Sequence, residues 1–109
     1  MSDNENEIQD KGLTAPRVTP ADLEAEIAAE LFFTAGQAAR GLNLPSHESA
    51  DLLTICVLTL RNGFTVTGES ACASPENYNV ELGQKIARQK ATEKLWPLLG
   101  FRLRDKLAA

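Results

Sequence analysis

The chain is poor in the residues from which most catalytic centres are built. Its 109 residues include one histidine, two cysteines, one methionine, one tryptophan and one tyrosine. Cys56 and Cys72 show no Cys-x-x-Cys spacing, and His47 is the single imidazole, so four protein ligands for zinc are hard to assemble. No glycine-rich phosphate loop occurs. With no positioned serine or cysteine partner, His47 reads as an exposed residue of a polar loop. Glu69 and Glu76 are the carboxylates nearest the expected sheet and turn, and nothing in the sequence pairs them across a cleft as glycosidase chemistry requires. The expectation is no catalytic residue, no metal, no cofactor and no enzymatic activity. Also missing are an apolar run near the roughly 20 residues of a membrane helix and a basic-then-apolar signal peptide. A cytoplasmic protein without a membrane partner is therefore expected.

What is there suits one soluble domain. Hydrophobic residues make up 43% of the chain, an ordinary share, and the length allows one core rather than two. The net charge of −4 is unevenly spread. Residues 1–30 carry a net −6, with acids at Asp22, Glu24, Glu26 and Glu30 among others; residues 80–109 carry a net +4, with Lys85, Arg88, Lys90, Lys94, Arg102, Arg104 and Lys106. Such asymmetry fits a binding face for an anion, and it equally fits two ends that attract each other within the fold or between copies.

Residues 1–18 have a composition that predicts a disordered acidic leader, followed by a single α+β domain over 19–109. Thr19 as N-cap, Pro20 at the first helical position and acids in the first turn open a helix. Leu23, Ile27 and Leu31 recur every fourth residue and give it one apolar stripe. Residues 31–34 fit either the last turn of that helix or a short strand. Gly36, Gly41, Asn43, Pro45 and Ser46 mark residues 36–51 as a loop.

Asn62-Gly63, between Leu53–Leu60 and Phe64–Gly68, is a strong hairpin signal. A two-residue turn would pair Arg61 with Phe64, Thr59 with Val66, Val57 with Gly68 and Ile55 with Ser70. One face then carries Leu53, Ile55, Val57, Phe64, Val66 and Cys72 and is the expected core. The other carries Thr54, Cys56, Leu58, Leu60, Thr65, Thr67 and Glu69. Its leucines need cover, from the first helix or from a second copy, so Leu58 and Leu60 are expected at a homo-oligomer interface. This register sets the cysteines on opposite faces, unable to bond. A lone hairpin is marginal, so a third strand or a partner is expected.

From about Asn79 the periodicity becomes helical. Leu82, Ile86 and Leu95 line one side with Gly83, Ala87 and Ala91, and Gly83 is expected to permit close approach to the sheet. Pro97 ends or kinks this long helix, and residues 98–107 form a short terminal helix, with Trp96 at the corner. The basic long helix is the best functional candidate: Lys85, Arg88 and Gln89, with Arg61 from the hairpin, are the expected ligand- or partner-binding residues. A helix–strand–strand–strand–helix order would also echo double-stranded-RNA-binding domains. The acidic first helix and a pI near 4.9 argue against a broad nucleic-acid footprint.

Three stretches carry a family likeness: Thr-Ile-Cys-Val-Leu-Thr-Leu-Arg-Asn-Gly-Phe-Thr-Val-Thr-Gly-Glu-Ser-Ala-Cys (54–72), Ala-Ser-Pro-Glu-Asn-Tyr-Asn (73–79) with Leu-Gly-Gln-Lys-Ile-Ala-Arg (82–88), and Lys-Leu-Trp-Pro-Leu-Leu-Gly-Phe-Arg-Leu (94–103). Over residues 54–107 the chain resembles the small uncharacterised bacteriophage proteins of N-four-like coliphages and a Shigella temperate phage. The resemblance transfers no activity. It implies a phage-encoded protein made in the host bacterial cytoplasm. The expected role is a non-enzymatic accessory factor that binds a host or anti-phage defence component, either a protein or a small anionic nucleotide. A nucleic-acid-binding module of phage replication or regulation is the alternative.

Overall fold

The computed structural model describes residues 2–10, 12 and 15–109. The expected leader over 1–18 lies partly outside them, at residues 1, 11, 13 and 14; within it, Ser2–Asp10 forms a helix, α1. The domain proper begins at Thr19, whose Oγ1 accepts from the Asp22 N–H at 3.2 Å while the Asp22 carboxylate accepts from the Thr19 N–H at 2.9 Å. This reciprocal capping box, with Pro20 in the first turn, starts helix α2, Pro20–Glu26.

The helix stops sooner than its stripe predicts. Of Leu23, Ile27 and Leu31, only Leu23 is helical. Ile27–Thr34 is strand β1, a full eight residues. The β-branched and aromatic residues of this segment suit a strand, and pairing along the next strand supplies the backbone bonds that more helix would have made. Residues 36–51 also differ from the expected loop. Thr34 caps helix α3, Ala35–Gly41, through a second capping box with Gln37. His47 then caps a short 3-10 turn, Glu48–Leu52, accepting at Nδ1 from the Ser49 N–H.

Strand β2, Leu53–Leu60, is the centre of an antiparallel sheet of order β1-β2-β3, with β3 spanning Thr65–Ala71. The hairpin register differs from the expected one by one residue: Thr54 faces Ser70, Cys56 faces Gly68 and Leu58 faces Val66. The Gly63 N–H donates to the Leu60 carbonyl at 2.9 Å and the Leu60 N–H to the Phe64 carbonyl at 2.8 Å, so the loop holds three residues, Arg61, Asn62 and Gly63. Only Gly63, at φ 89, has positive φ there. A type I′ turn needs two such residues; one glycine in the left-handed region after a tight turn is the three-residue hairpin with a bulge.

The covered face also differs from expectation. Thr54, Cys56, Leu58 and Leu60 are all buried, with Leu58 at 0% and Leu60 at 4% exposure. Their cover comes from the same chain, so they are core residues and give a second copy no surface. Helix α4, Val80–Glu93, lies on this face, and helix α5, Leu95–Ala108, adds Leu95 and Leu99 to the cluster. Leu23, Leu58 and Leu95 are the largest buried side chains, each contributing about 1.5–3 kcal/mol by removal from water. Gly68 explains the fit, because a Cβ there would collide with the Ala87 carbonyl and the Ala91 backbone. Gly83 lies over Thr54, the close approach expected of it.

With this register Cys72, the residue after the end of β3, lies four positions beyond Gly68, the partner of Cys56, roughly 13 Å away at strand spacing. The two cysteines share a parity yet remain apart, and both are free. Pro97 breaks the C-terminal helix as expected. Its ring is incompatible with the carbonyl four residues back, at Glu93, and Glu93 is the last residue of α4. The terminal helix is as long as α4, at 14 residues, rather than short. Trp96 packs against the core at the break.

Candidate binding surfaces

The first turn of α4 is fixed by Asn79, whose side chain accepts from the Leu82 N–H at 2.9 Å. Seating Ala87 and Ala91 on the sheet then turns Lys85, Arg88 and Gln89 toward α2. These three expected binding residues line one open depression of about 430 Å³ with Glu24, Thr92 and Glu93. Arg61 is elsewhere, in a separate cleft.

Arg88 is already occupied. Its terminal nitrogens hold both oxygens of Glu24, at 2.9 and 3.1 Å, and its Nε donates to Glu30 at 2.7 Å. The hydrogen bond from Arg88 holds the Glu24 carboxyl below the usual carboxylate range against the opposing effect of burial, and both acids raise the guanidinium further above its ordinary value. Arg102 on α5 likewise holds Glu26 with two bonds, at 2.8 and 3.0 Å. The charge asymmetry of the sequence is thus used in part within the fold: acids of α2 and β1 meet Arg88 of α4 and Arg102 of α5. Lys85 keeps no ion pair among the described residues, and the depression around it is as acidic as it is basic.

The second cleft, of about 330 Å³, lies where α2, the β2–β3 turn and α5 meet. Arg61 joins the turn to α2 by its backbone N–H to the Glu26 carbonyl at 3.0 Å, and by Nε to the Ala25 carbonyl. Arg17, Arg102 and Lys106 line the same cleft. Arg102 and Lys106 stand four residues apart on α5, hence on one helix face. That spacing is visible in the sequence and would have identified them.

The outer face of the sheet is a third surface. Opposite residues share a face, and Leu31 pairs with Val57, Phe33 with Ile55, Val57 with Thr67 and Ile55 with Glu69. Leu31, Phe33, Leu53, Ile55 and Val57 form its apolar part. None is buried, and Leu31 is 57% exposed. Glu69 is its one charged side chain among these pairs.

Cys56 is buried on the inner face, where burial and then Glu30 push its thiol up while Arg88 opposes them. Cys72 donates from Sγ to the Ser74 carbonyl at 3.1 Å. Among the described residues no group of three His, Cys, Asp or Glu side chains is placed to hold a metal, and no helix is long and apolar enough to cross a membrane.

No curated protein and no solved structure matches the chain. A family model does, over residues 18–107, from just before the Thr19 cap to the end of α5. By that match the chain belongs to the phage protein (N4 Gp49/phage Sf6 gene 66) family.

Proposed function

We propose that this phage protein is a non-enzymatic accessory factor that acts in the host bacterial cytoplasm by docking onto a host or anti-phage defence protein. The supporting observation is the open outer face of the sheet, with Leu31, Phe33, Ile55 and Val57 unburied. An apolar patch with a single carboxylate suits an uncharged protein surface and suits neither nucleic acid nor a nucleotide. The pairing of Arg88 and Arg102 with glutamates points the same way, since it engages two of the arginines that a phosphate backbone would otherwise meet.

The occupant follows from size. Three strands of about seven residues cover roughly 14 by 24 Å, about 340 Å², well under the roughly 800 Å² per partner of a lasting complex. A transient host partner fits such a patch better than a permanent homo-oligomer.

The test compares capture from host lysate by the wild type, Val57→Glu and Lys85→Glu. Proteins held by the wild type and Lys85→Glu but lost by Val57→Glu support the reading. Equal capture by all three, or a dimer in light scattering that Val57→Glu dissolves, overturns it. So does a gel shift with duplex or single-stranded nucleic acid at low salt.

A further inference from the structure

We infer that the cleft between α2, the β2–β3 turn and α5 binds a small organic anion, a carboxylate or phosphate ester, on Arg61 and Lys106. This site is separate from the outer face of the sheet and independent of what docks there.

The cleft is a local exception in charge. Four bases line it against two acids, Asp22 and Glu26, in a chain of net charge −4. Most of these charges have internal partners. The Asp22 carboxylate accepts from the Thr19 N–H, Arg17 pairs with Glu5, and Arg102 pairs with Glu26. Arg61 and Lys106 remain, neither with a carboxylate at ion-pair distance among the described residues. Both act on Glu26, whose side chain is only 13% exposed, and together with Arg102 they hold its carboxyl below the usual range. Glu26 therefore sits among three cations, and with the Asp22 carboxylate counted the cleft keeps an excess of one positive charge, enough for one further anion.

The site is also pre-organised. Arg61 is pinned through its backbone N–H and its Nε to the last carbonyls of α2, so its terminal nitrogens are presented at little further entropic cost. Arg102 already makes a two-bond carboxylate contact in this cleft, the kind of fork an incoming oxyanion would find at Arg61. The other wall is aliphatic, from Val18, Leu99 and Leu103. A cavity of about 330 Å³ is at the small end of ligand sites and suits an anion with a ring or short apolar body.

The experiment titrates the full chain with phenyl phosphate, benzoate and inorganic phosphate at low ionic strength, following backbone amide shifts by NMR. The expected result is saturable shifts at Arg61 and along residues 99–106, with phenyl phosphate or benzoate binding at least about fivefold tighter than inorganic phosphate. Lys106→Gln and Arg61→Gln should each weaken binding by about fivefold or more, and Lys85→Gln should leave it unchanged. Lys106 is exposed in the last turn of α5, so its variant keeps the fold and guards against a false loss from Arg61→Gln. Shifts that never saturate, equal affinity for inorganic phosphate, unchanged affinity in Lys106→Gln, or an equal loss in Lys85→Gln would each overturn the assignment.

Discussion

Arg88 on α4 holds Glu24 of α2 and Glu30 of β1 at the same time, through three hydrogen bonds of 2.7 to 3.1 Å. One guanidinium thereby ties the first helix and the first strand to the helix that covers the sheet. Arg88→Met should lower stability by about 1 kcal/mol, since the partners are partly exposed. Arg88→Glu should cost roughly twice as much, because it brings three carboxylates together. Thermal melts at low and high salt test this, and the wild-type advantage should shrink as salt rises.

Acid should unfold the protein by a path that runs through two glutamates. The Glu24 and Glu26 carboxyls lie below their ordinary value of 4.5, held there chiefly by hydrogen bonds from Arg88 and Arg102. As pH falls, the unfolded chain takes up these protons first. Their stabilisation is therefore complete above 4.5 and is lost as pH drops through the lower folded values. Melting temperature should be level near neutrality and fall below about pH 4.5. Glu24→Gln with Glu26→Gln should lower it at neutral pH and flatten the acid limb. An unchanged acid limb would remove both carboxylates from the account.

Which face of β2 is core can be read from neighbouring truncations. Leu58→Ala empties a fully buried site and should cost about 2–5 kcal/mol. Val57→Ala, on the outer face, should cost under about 1 kcal/mol. Denaturant midpoints compare them directly, and a reversed order would return the core to the opposite face.

Two glycines offer a matched contrast. Gly68→Ala drives a methyl group into the backbone of α4 at Ala87 and Ala91 and should cost about 3 kcal/mol or prevent folding. Gly100→Ala, inside α5 with nothing within 4 Å of the new Cβ, should stabilise by about 0.5–1 kcal/mol. Chemical denaturation of both variants checks the sign of each.

The local signals that were legible act over a few residues. Thr19 caps its helix as expected, the helical period expected from about Asn79 starts there, Pro97 breaks the last helix, and Gly83 seats α4 on the sheet. The loop expected at 36–51 missed a signal of the same kind, since Thr34-Ala-Gly-Gln37 has capping-box spacing. Asn62-Gly63 marked the turn without its length, because the same dipeptide serves two-residue and three-residue hairpins. One residue of loop length shifts every cross-strand pair. Gly68 held the missing hint about the core face: a glycine inside a strand marks a close approach, and Ala87 and Ala91 are the small residues that make it.

The candidate site was legible only in its residue types. Lys85, Arg88, Gln89 and Arg61 are where the sequence places basic and polar groups, but nothing along the chain says that Arg88 meets Glu24 and Glu30 while Arg61 meets the end of α2. The amino-acid order alone settles the α+β class, the caps and turns, and membership in the phage family, because each depends on neighbours in sequence. The face of the hairpin that is buried, the partners of the arginines and the two surfaces left open were settled by long-range packing. Both faces of β2 are apolar enough to be core, and only the helices that fold back from residue 80 onward cover one and leave the other bare.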